Sequence, residues 1–156
     1  MIWAGDFNSR LETEQYKLKG DSANKQFTFQ MMKAGDYEAL SKNDQFTQDL
    51  NKHDPEHEYK EGPIHNFTPT FKLRSLRQEF NMKRNPSWTD RIIYKGEHLE
   101  LMNYDSNNLL RATDHRPVFA QLELTLNYDK EDMPGTKLSR NISDLGQQRT
   151  ETCNIF

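Results

Sequence analysis

The chain has 156 residues, a net charge of −3 and one cysteine, and 33% of its residues are hydrophobic. This length is typical of one domain, although the hydrophobic fraction is low for such a domain. Aromatic residues make up 11% of the chain, which argues against wholesale disorder. No stretch approaches the ~18 apolar residues of a membrane-spanning helix, and the small net charge excludes a general attraction to nucleic acid.

One cysteine cannot form an internal disulfide, which fits a reducing compartment. The first residues lack the charged start and the apolar run that are typical of a secretory signal, so none is expected. We therefore expect a cytoplasmic protein.

Strands and short helices are predicted along the chain. A short apolar run predicts a buried strand over residues 2–7, and mixed helical spacings predict two short helices over residues 24–34 and 37–50. The charged segment 51–62 contains Pro55, which favours a loop. Further strands are predicted over residues 67–73, 88–94, 99–104 and 117–126.

The last predicted strand has the clearest alternation, because every second residue is apolar. The polar segment that follows, residues 128–156, is predicted to be a loose tail. The apolar face of the strand consists of Val118, Ala120, Leu122, Leu124 and Leu126.

Three short polar clusters lie at or within the predicted strands. A carboxylate can act as a base or metal ligand, an amide can donate to a phosphate or oxyanion, and a histidine becomes a useful donor when a carboxylate such as Asp90 fixes its tautomer. An isolated pair of this kind is more often an ordinary surface group or a helix cap, so the hypothesis depends on all three together. The clusters are Asp6 with Asn8, Asp90 with Arg91, and Asp114 with His115.

A local concentration of positive charge surrounds the second cluster. Residues 71–95 contain seven basic side chains and two acidic ones, in a chain whose net charge is −3. Because arginine and lysine form charge-assisted hydrogen bonds with phosphate, the pattern indicates a phosphorylated substrate. A solvated charged loop is the alternative interpretation.

Five segments carry a family resemblance. The chain reads WAGDFNSR at residues 3–10, EGPI at 61–64, FTPTFK at 67–72, PSWTDRI at 86–92 and TDHRPV at 113–118. In order and spacing they resemble signatures of the inositol polyphosphate 5-phosphatases, over about residues 2–126. GDxN and DH also resemble the wider endonuclease/exonuclease/phosphatase superfamily, whereas FTPTFK and PSWTDR disfavour a nuclease or sphingomyelinase. Ser9 and Thr89 depart from the Tyr and Cys that are common in the family.

The resemblance implies an α/β fold, as part of a two-sheet α/β/β/α sandwich. Residues 1–127 would form the C-terminal half of a 5-phosphatase catalytic domain, followed by the polar tail 128–156. In the family, the metal-binding Glu and an active-site Asn lie in the first half of that domain. The isolated chain is therefore expected to be inactive or severely impaired, and to be marginally stable with exposed apolar sheet surface.

The implied activity is the Mg²⁺-dependent removal of the 5-phosphate from phosphoinositides or soluble inositol polyphosphates, a reaction of lipid signalling. A noncatalytic phosphoinositide-binding fragment or adaptor is the alternative; it predicts binding without turnover. The resemblance implies these roles: Asp6 activates the attacking water, Asn8 binds the scissile phosphate, His115 donates to it while Asp90 orients the ring, Asp114 and Asp6 lie at the metal, and Lys72 and Arg84 hold the neighbouring phosphate.

The last four residues, CNIF, fit a C-a-a-X prenylation box at Cys153. One prenyl group gives reversible membrane binding, so peripheral membrane association is expected if the box is used; an unmodified thiol is the alternative. His53 and His57 have the spacing of a helical zinc pair, but Pro55 between them argues against a helix there and so against a zinc site.

Overall fold

The computed structural model describes residues 1–12, 21–74, 76–77, 79–81, 83–110, 112–126 and 149–155. Within this part of the chain the helices are α1 (Asp21–Ala34), α2 (Tyr37–Ser41) and α3 (Gln45–His53), and a 3₁₀ turn occupies Ile64–Asn66. The strands are β1 (Ile2–Asp6), β2 (Lys60–Glu61), β3 (Asp90–Tyr94), β4 (Leu99–Ser106), β5 (Val118–Leu126) and β6 (Arg149–Ile155). No helix among these residues is long and apolar enough to cross a membrane.

The described strands pair into antiparallel sheets. One sheet has the order β1-β3-β2 and the other the order β4-β5-β6. The β1–β3 register runs from Ile2 opposite Tyr94 to Asp6 opposite Asp90. A register shift interrupts the β4–β5 pair between Leu101 and Asn103.

The hydrophobic core draws residues from both sheets and from the helices. Ile92 of β3 and Ala120 of β5 are almost fully buried, as is Leu40 of α2. The mixture of helices and antiparallel sheets around one core agrees with the predicted α/β sandwich. The buried members of this core are Leu11, Leu40, Ile64, Phe67, Trp88, Ile92, Tyr104, Val118 and Ala120.

The helix predicted over residues 37–50 is two helices, because Asp44 caps the second one. Its Oδ1 accepts a 2.9 Å hydrogen bond from the backbone N–H of Thr47, which satisfies a donor at the start of α3. Helix α2 ends at Ser41 with Lys42 as its C-cap, and the extended backbone at Asp44 (φ −73°, ψ 121°) separates it from α3. The helix then continues to His53, into the predicted loop.

Two strand predictions and the tail prediction need correction. Residues 67–73 form isolated bridges instead of a strand, since Pro69 has no N–H for a continuous ladder. The strand predicted to be buried over residues 2–7 is β1, which lies at a sheet edge and is exposed throughout. The predicted loose tail contains β6, which pairs with β5; residues 127–148 and 156 lie outside the described residues.

Candidate active site

The pairing of β1 with β3 brings two of the predicted clusters together. Asp6 and Asp90 are register partners, and the Phe7 N–H donates to the Thr89 carbonyl at 2.7 Å just beyond them. The third cluster, Asp114 with His115, is brought to the same place by Phe71. This residue forms β-bridges both with His115 and with Ser87, which lies just before β3. The candidate site therefore lies where three segments, distant in the sequence, meet.

The Asp90 carboxylate holds the His115 ring. Nδ1 of His115 lies 3.0 Å from Oδ2 and 3.1 Å from Oδ1 of Asp90. Oδ2 also accepts hydrogen bonds from Thr70 Oγ1 at 2.6 Å and Thr89 Oγ1 at 2.8 Å. With Nδ1 occupied by a carboxylate that is itself fixed, the ring presents Nε2 as its second polar atom.

A tight turn follows β1 and presents Asn8. The Asn8 N–H donates to Asp6 Oδ1 at 2.7 Å, and Asn8 has φ +54°, a left-handed conformation that asparagine adopts more readily than most residues. The Asn8 side-chain oxygen accepts a hydrogen bond from Arg10. Asp6 and Asn8 are therefore fixed relative to each other by the backbone.

The residues Asp6, Asp90 and His115 form a group that could hold a metal ion. One ligand atom from each lies within 4.8 Å of the others. Since Asp90 already accepts from two threonines and faces His115, Asp6 is the more available carboxylate. A site with one or two carboxylates fits Mg²⁺, which keeps several waters and binds substrate phosphate oxygens.

The predicted metal residue Asp114 has a different neighbour. Its Oδ2 lies 2.7 Å from Lys72 Nζ, and the hydrogen bond from Lys72 lowers the pKa of Asp114. Both side chains are 34% exposed, so the pair lies at the surface of the site. Among the described residues, the three-residue group that could hold a metal ion does not include Asp114.

The two predicted phosphate-binding cations lie on connected backbone. Lys72 Nζ lies 5.3 Å from the centroid of the Phe71 ring, which is itself 4.7 Å from the His115 ring. The Lys72 carbonyl accepts from the Asn81 N–H at 2.8 Å, and the Asn81 carbonyl accepts from the N–H of Arg84 at 3.1 Å. Arg84 is exposed, so its side chain is accessible to an anion.

Arg91, the residue after Asp90, is buried in an ion-pair network that no sequence motif predicts. Its guanidinium donates to Asp44 Oδ1 at 2.6 Å and, with two nitrogens, to the Glu61 carboxylate at 2.7 and 2.6 Å. The Tyr104 hydroxyl adds a 3.0 Å hydrogen bond to Glu61. Glu61 belongs to the EGPI segment and Asp44 lies inside the helix predicted over residues 37–50, and neither feature indicates a shared buried arginine.

Burial and charge determine the protonation of this network. Burial by itself lowers the pKa of Arg91, but the Glu61 and Asp44 carboxylates outweigh that effect, so the pKa of Arg91 is raised. Burial raises the pKa of Glu61, although Arg91 partly offsets this. Burial and the Glu61 carboxylate raise the pKa of Tyr104. Arg91 is thus a permanently charged buried centre that joins β3 to α3 and β2.

The predicted prenylation residue Cys153 lies in β6, opposite Leu122 of β5 in the strand register. Its side chain lies outside the part of the chain for which side chains are described. Of the histidines rejected as a zinc pair, His53 ends α3 and His57 has φ +52° beyond it, so one helix does not present both.

The family model for "Endonuclease/Exonuclease/phosphatase family 2" matches residues 1–121. Synaptojanin of Caenorhabditis elegans is 33% identical over 127 residues, which are 77% of this chain and 10% of that protein. The mouse phosphatidylinositol polyphosphate 5-phosphatase type IV is 29% identical over 96% of this chain and 23% of its own length. A nitrophorin of Cimex lectularius is 30% identical over 81% of this chain and 39% of its own length.

Solved structures agree in fold. The inositol polyphosphate 5-phosphatase domain of SPsynaptojanin, in complex with inositol (1,4)-bisphosphate and calcium, superposes with a TM-score of 0.60 at 30% identity. That match covers 76% of this chain and 32% of the other. The Cimex nitrophorin ferrous NO complex superposes with a TM-score of 0.66 at 29% identity, over 80% of this chain and 41% of the other.

The chain spans 39% or less of the length of these curated relatives. The family match nevertheless covers most of the chain and includes every residue of the candidate site. The chain therefore belongs to endonuclease/exonuclease/phosphatase family 2.

Proposed function

We propose that the chain carries the phosphate-hydrolysing site of an inositol polyphosphate or phosphoinositide 5-phosphatase. The observation that carries the proposal is the meeting of Asp6, Asn8 and the Asp90–His115 pair at one edge of the β1-β3-β2 sheet. Relatives named as 5-phosphatases and a relative named as a nitrophorin share this fold. Site residues, and not the fold, must therefore identify the activity.

Each residue has a chemical role in this proposal. The Asp6 carboxylate orients the attacking water and accepts its proton. As the water oxygen bonds to phosphorus, the bond from phosphorus to the inositol oxygen breaks, and the departing oxygen takes a proton from solvent. The Asn8 side-chain amide donates to the scissile phosphate, where negative charge increases during attack. In the imidazolium form of His115 both ring nitrogens are donors, so Nδ1 bonds to Asp90 while Nε2 donates to the same phosphate.

A magnesium ion fits beside these residues. Asp6 would hold it, with the oxygens of the phosphate and waters completing its coordination. When bound, Mg²⁺ polarises the phosphate as a Lewis acid. The calcium ion named in the synaptojanin domain complex supports a hard divalent cation at this kind of site.

Lys72 and Arg84 supply specificity for a substrate with more than one phosphate. Lys72 lies beside Phe71, whose ring contacts the His115 ring, so its ammonium group is next to the proposed reaction centre. Arg84 is exposed on backbone hydrogen-bonded to the same segment. A second phosphate on the inositol ring would meet these cations, and the inositol bisphosphate named in the synaptojanin domain complex has this chemistry.

Phosphate release tests the proposal. Residues 1–126 of this chain would replace the matching segment of a related 5-phosphatase domain, and the chimera would be supplied with Mg²⁺ and a 5-phosphorylated phosphoinositide. We expect turnover, and we expect Asp6→Asn and His115→Gln each to lower it by about 10²–10⁴-fold. The exposed helix residue Asp49 provides the control variant Asp49→Asn, which should leave turnover unchanged.

A noncatalytic phosphoinositide-binding role is the second candidate, which the exposed cation Arg84 favours. It predicts a folded chimera without turnover, together with binding of the same lipid by the chain itself. That binding should weaken in Arg84→Ala. Turnover in the chimera that is abolished by His115→Gln would contradict this candidate.

A peripheral membrane location through prenylated Cys153 is a further part of the proposal, in an otherwise cytoplasmic protein. The C-terminal sequence supports it. Because Cys153 belongs to β6, the strand would have to separate from β5 for a modifying enzyme to bind the tail. Mass spectrometry of the chain from eukaryotic cells should show the prenyl mass, and Cys153→Ser should remove it.

A further inference from the structure

The segment after β1 is fixed to the start of α3 at Ser9 and at Arg10. Ser9 Oγ donates to Asp44 Oδ2 at 2.9 Å and accepts from the Phe46 N–H at 3.1 Å. The Arg10 carbonyl accepts from the Gln45 N–H at 2.9 Å. The backbone of Arg10 is therefore held in place, so the position of its guanidinium depends only on the conformation of the side chain.

The guanidinium makes two contacts at the candidate site. Nη2 of Arg10 donates to Oδ1 of Asn8. Cζ of Arg10 lies 5.1 Å from the centroid of the Phe71 ring, a distance at which a cation is attracted by an aromatic face. Phe71 in turn contacts the His115 ring at 4.7 Å between centroids. Arg10 thus joins Asn8 to the side of the site that holds His115.

The hydrogen bond from Arg10 to Asn8 Oδ1 determines which end of the Asn8 side-chain amide faces outward. A side-chain amide has one oxygen that accepts and one nitrogen that donates. With Oδ1 engaged by a guanidinium, a rotation that exchanges the two groups would break a charge-assisted hydrogen bond and bring Nδ2 against a cation. The Nδ2 donor is consequently the atom that remains for a phosphate.

We propose that Arg10 is a positioning residue, which holds Asn8 Oδ1 and so presents Asn8 Nδ2 to the substrate phosphate. This rests on the proposed function for the identity of the anion. The orientation of the amide is a property of the chain without substrate. The competing explanation, that the exposed guanidinium of Arg10 binds the phosphate directly, predicts a different pattern of variant effects.

A double-mutant cycle separates the two explanations. The affinity of the full chain for a soluble 5-phosphorylated inositol phosphate with Mg²⁺ would be measured by calorimetry for Arg10→Ala, Asn8→Ala and the double variant. If Arg10 acts through Asn8, each single change weakens binding by about tenfold, and the double variant is no weaker than Asn8→Ala alone. If Arg10 binds the phosphate itself, the two losses multiply, which would overturn the proposal.

The orientation of the Asn8 side-chain amide can also be tested without any ligand. In ¹⁵N spectra of the full chain, the two side-chain N–H signals of Asn8, assigned with Asn8→Ala, should be distinct and sharp. We expect them to move and broaden in Arg10→Ala and to be partly restored in Arg10→Lys, which keeps one donor and the charge. Unchanged Asn8 signals in Arg10→Ala would overturn the proposal even if the affinity falls.

A control variant removes a positive charge elsewhere. Lys42 lies 3.5 Å from Glu38 on the surface, with both side chains about 70% exposed, so Lys42→Ala should change neither the affinity nor the Asn8 signals. If the unmodified chain binds no inositol phosphate, the second candidate function, binding by the chain itself, is contradicted and the proposed 5-phosphatase site is judged by turnover in the chimera, whereas the Asn8 signals still decide whether Arg10 orients the amide.

Discussion

Asp6 and Asp90 are register partners in the antiparallel β1–β3 pair. Residues directly opposite each other in such a pair project their side chains from the same face, so both carboxylates reach the edge of the sheet where His115 lies. A shift of one residue in the pairing would turn Asp90 to the opposite face. The candidate site therefore depends on how β1 pairs with β3 as much as on the identity of its residues.

The His115 ring should lose its orientation when Asp90 is neutralised. Asp90→Asn keeps the shape of the side chain but removes the charge that faces Nδ1, and the amide can place a donor against that nitrogen. We expect phosphate release by the chimeric phosphatase to fall by about 10²-fold or more. Thermal unfolding should change little, and Asp49→Asn again serves as the control. Full activity in Asp90→Asn would show that His115 needs no carboxylate partner.

The buried network around Arg91 predicts a large effect on stability. Arg91→Met would leave the Asp44 and Glu61 carboxylates buried without their cation. Breaking a buried ion pair from one side typically costs about 3–5 kcal/mol. We expect urea unfolding of the chain to shift by an amount in that range, or the variant to be unfolded without denaturant.

The matched control for Arg91 is Lys95, which follows it on the same segment. Lys95 Nζ lies 2.5 Å from Glu58 Oε2, but the two side chains are 40% and 50% exposed. Water screens such a surface pair, so Lys95→Met should shift the unfolding transition much less than Arg91→Met. Equal shifts would mean that the buried network contributes no more than a surface ion pair.

Local patterns predicted much of this chain because its strands have strong signals. The alternation ending at Leu126 located β5, and the apolar start located β1. Local patterns do not show which strands pair with each other. They therefore do not predict that β1 lies exposed at a sheet edge. The helix over residues 37–50 was predicted as one because its spacing is helical, whereas the cap at Asp44 divides it.

The sequence predicts the residues of the candidate site but not the buried ion pairs that surround Arg91. Sequence motifs selected Asp6, Asp90 and His115, which the fold brings within reach of one another. The partners of Arg91 come from α3 and β2, and no local pattern relates an arginine to acids so distant in the chain. Buried charge pairs of this kind follow from the tertiary fold.

The contact between Lys72 and Asp114 leads to a prediction about the protonation of Asp114. Because the hydrogen bond from Lys72 lowers the pKa of Asp114 below its ordinary value of 3.8, the pair stabilises the folded chain above that value. This contribution is lost as the pH falls through the lowered pKa. Lys72→Met should raise the pKa of Asp114 toward 3.8, as measured by carboxyl carbon NMR.

A second variant shows whether the lowered pKa of Asp114 requires the hydrogen bond from Lys72. Arg74 is close in sequence to Lys72 but pairs with Glu79 at 3.7 Å. Arg74→Met removes the same charge from the segment and should leave the Asp114 titration nearly unchanged. If both variants raise the pKa of Asp114 equally, the general positive charge of the segment, and not the hydrogen bond, is responsible.

Gly62 is required because the Tyr104 ring lies against it. A Cβ at residue 62 would lie 2.4 Å from Cδ1 of Tyr104, whereas a Cβ at Gly5 would have no atom within 4 Å. Tyr104 cannot move away freely, since it is 4% exposed and its hydroxyl bonds to Glu61. Gly62→Ala should therefore cost about 1–3 kcal/mol in thermal or urea unfolding, and Gly5→Ala much less. Similar losses for both would mean that backbone freedom, and not the Tyr104 contact, explains the glycine.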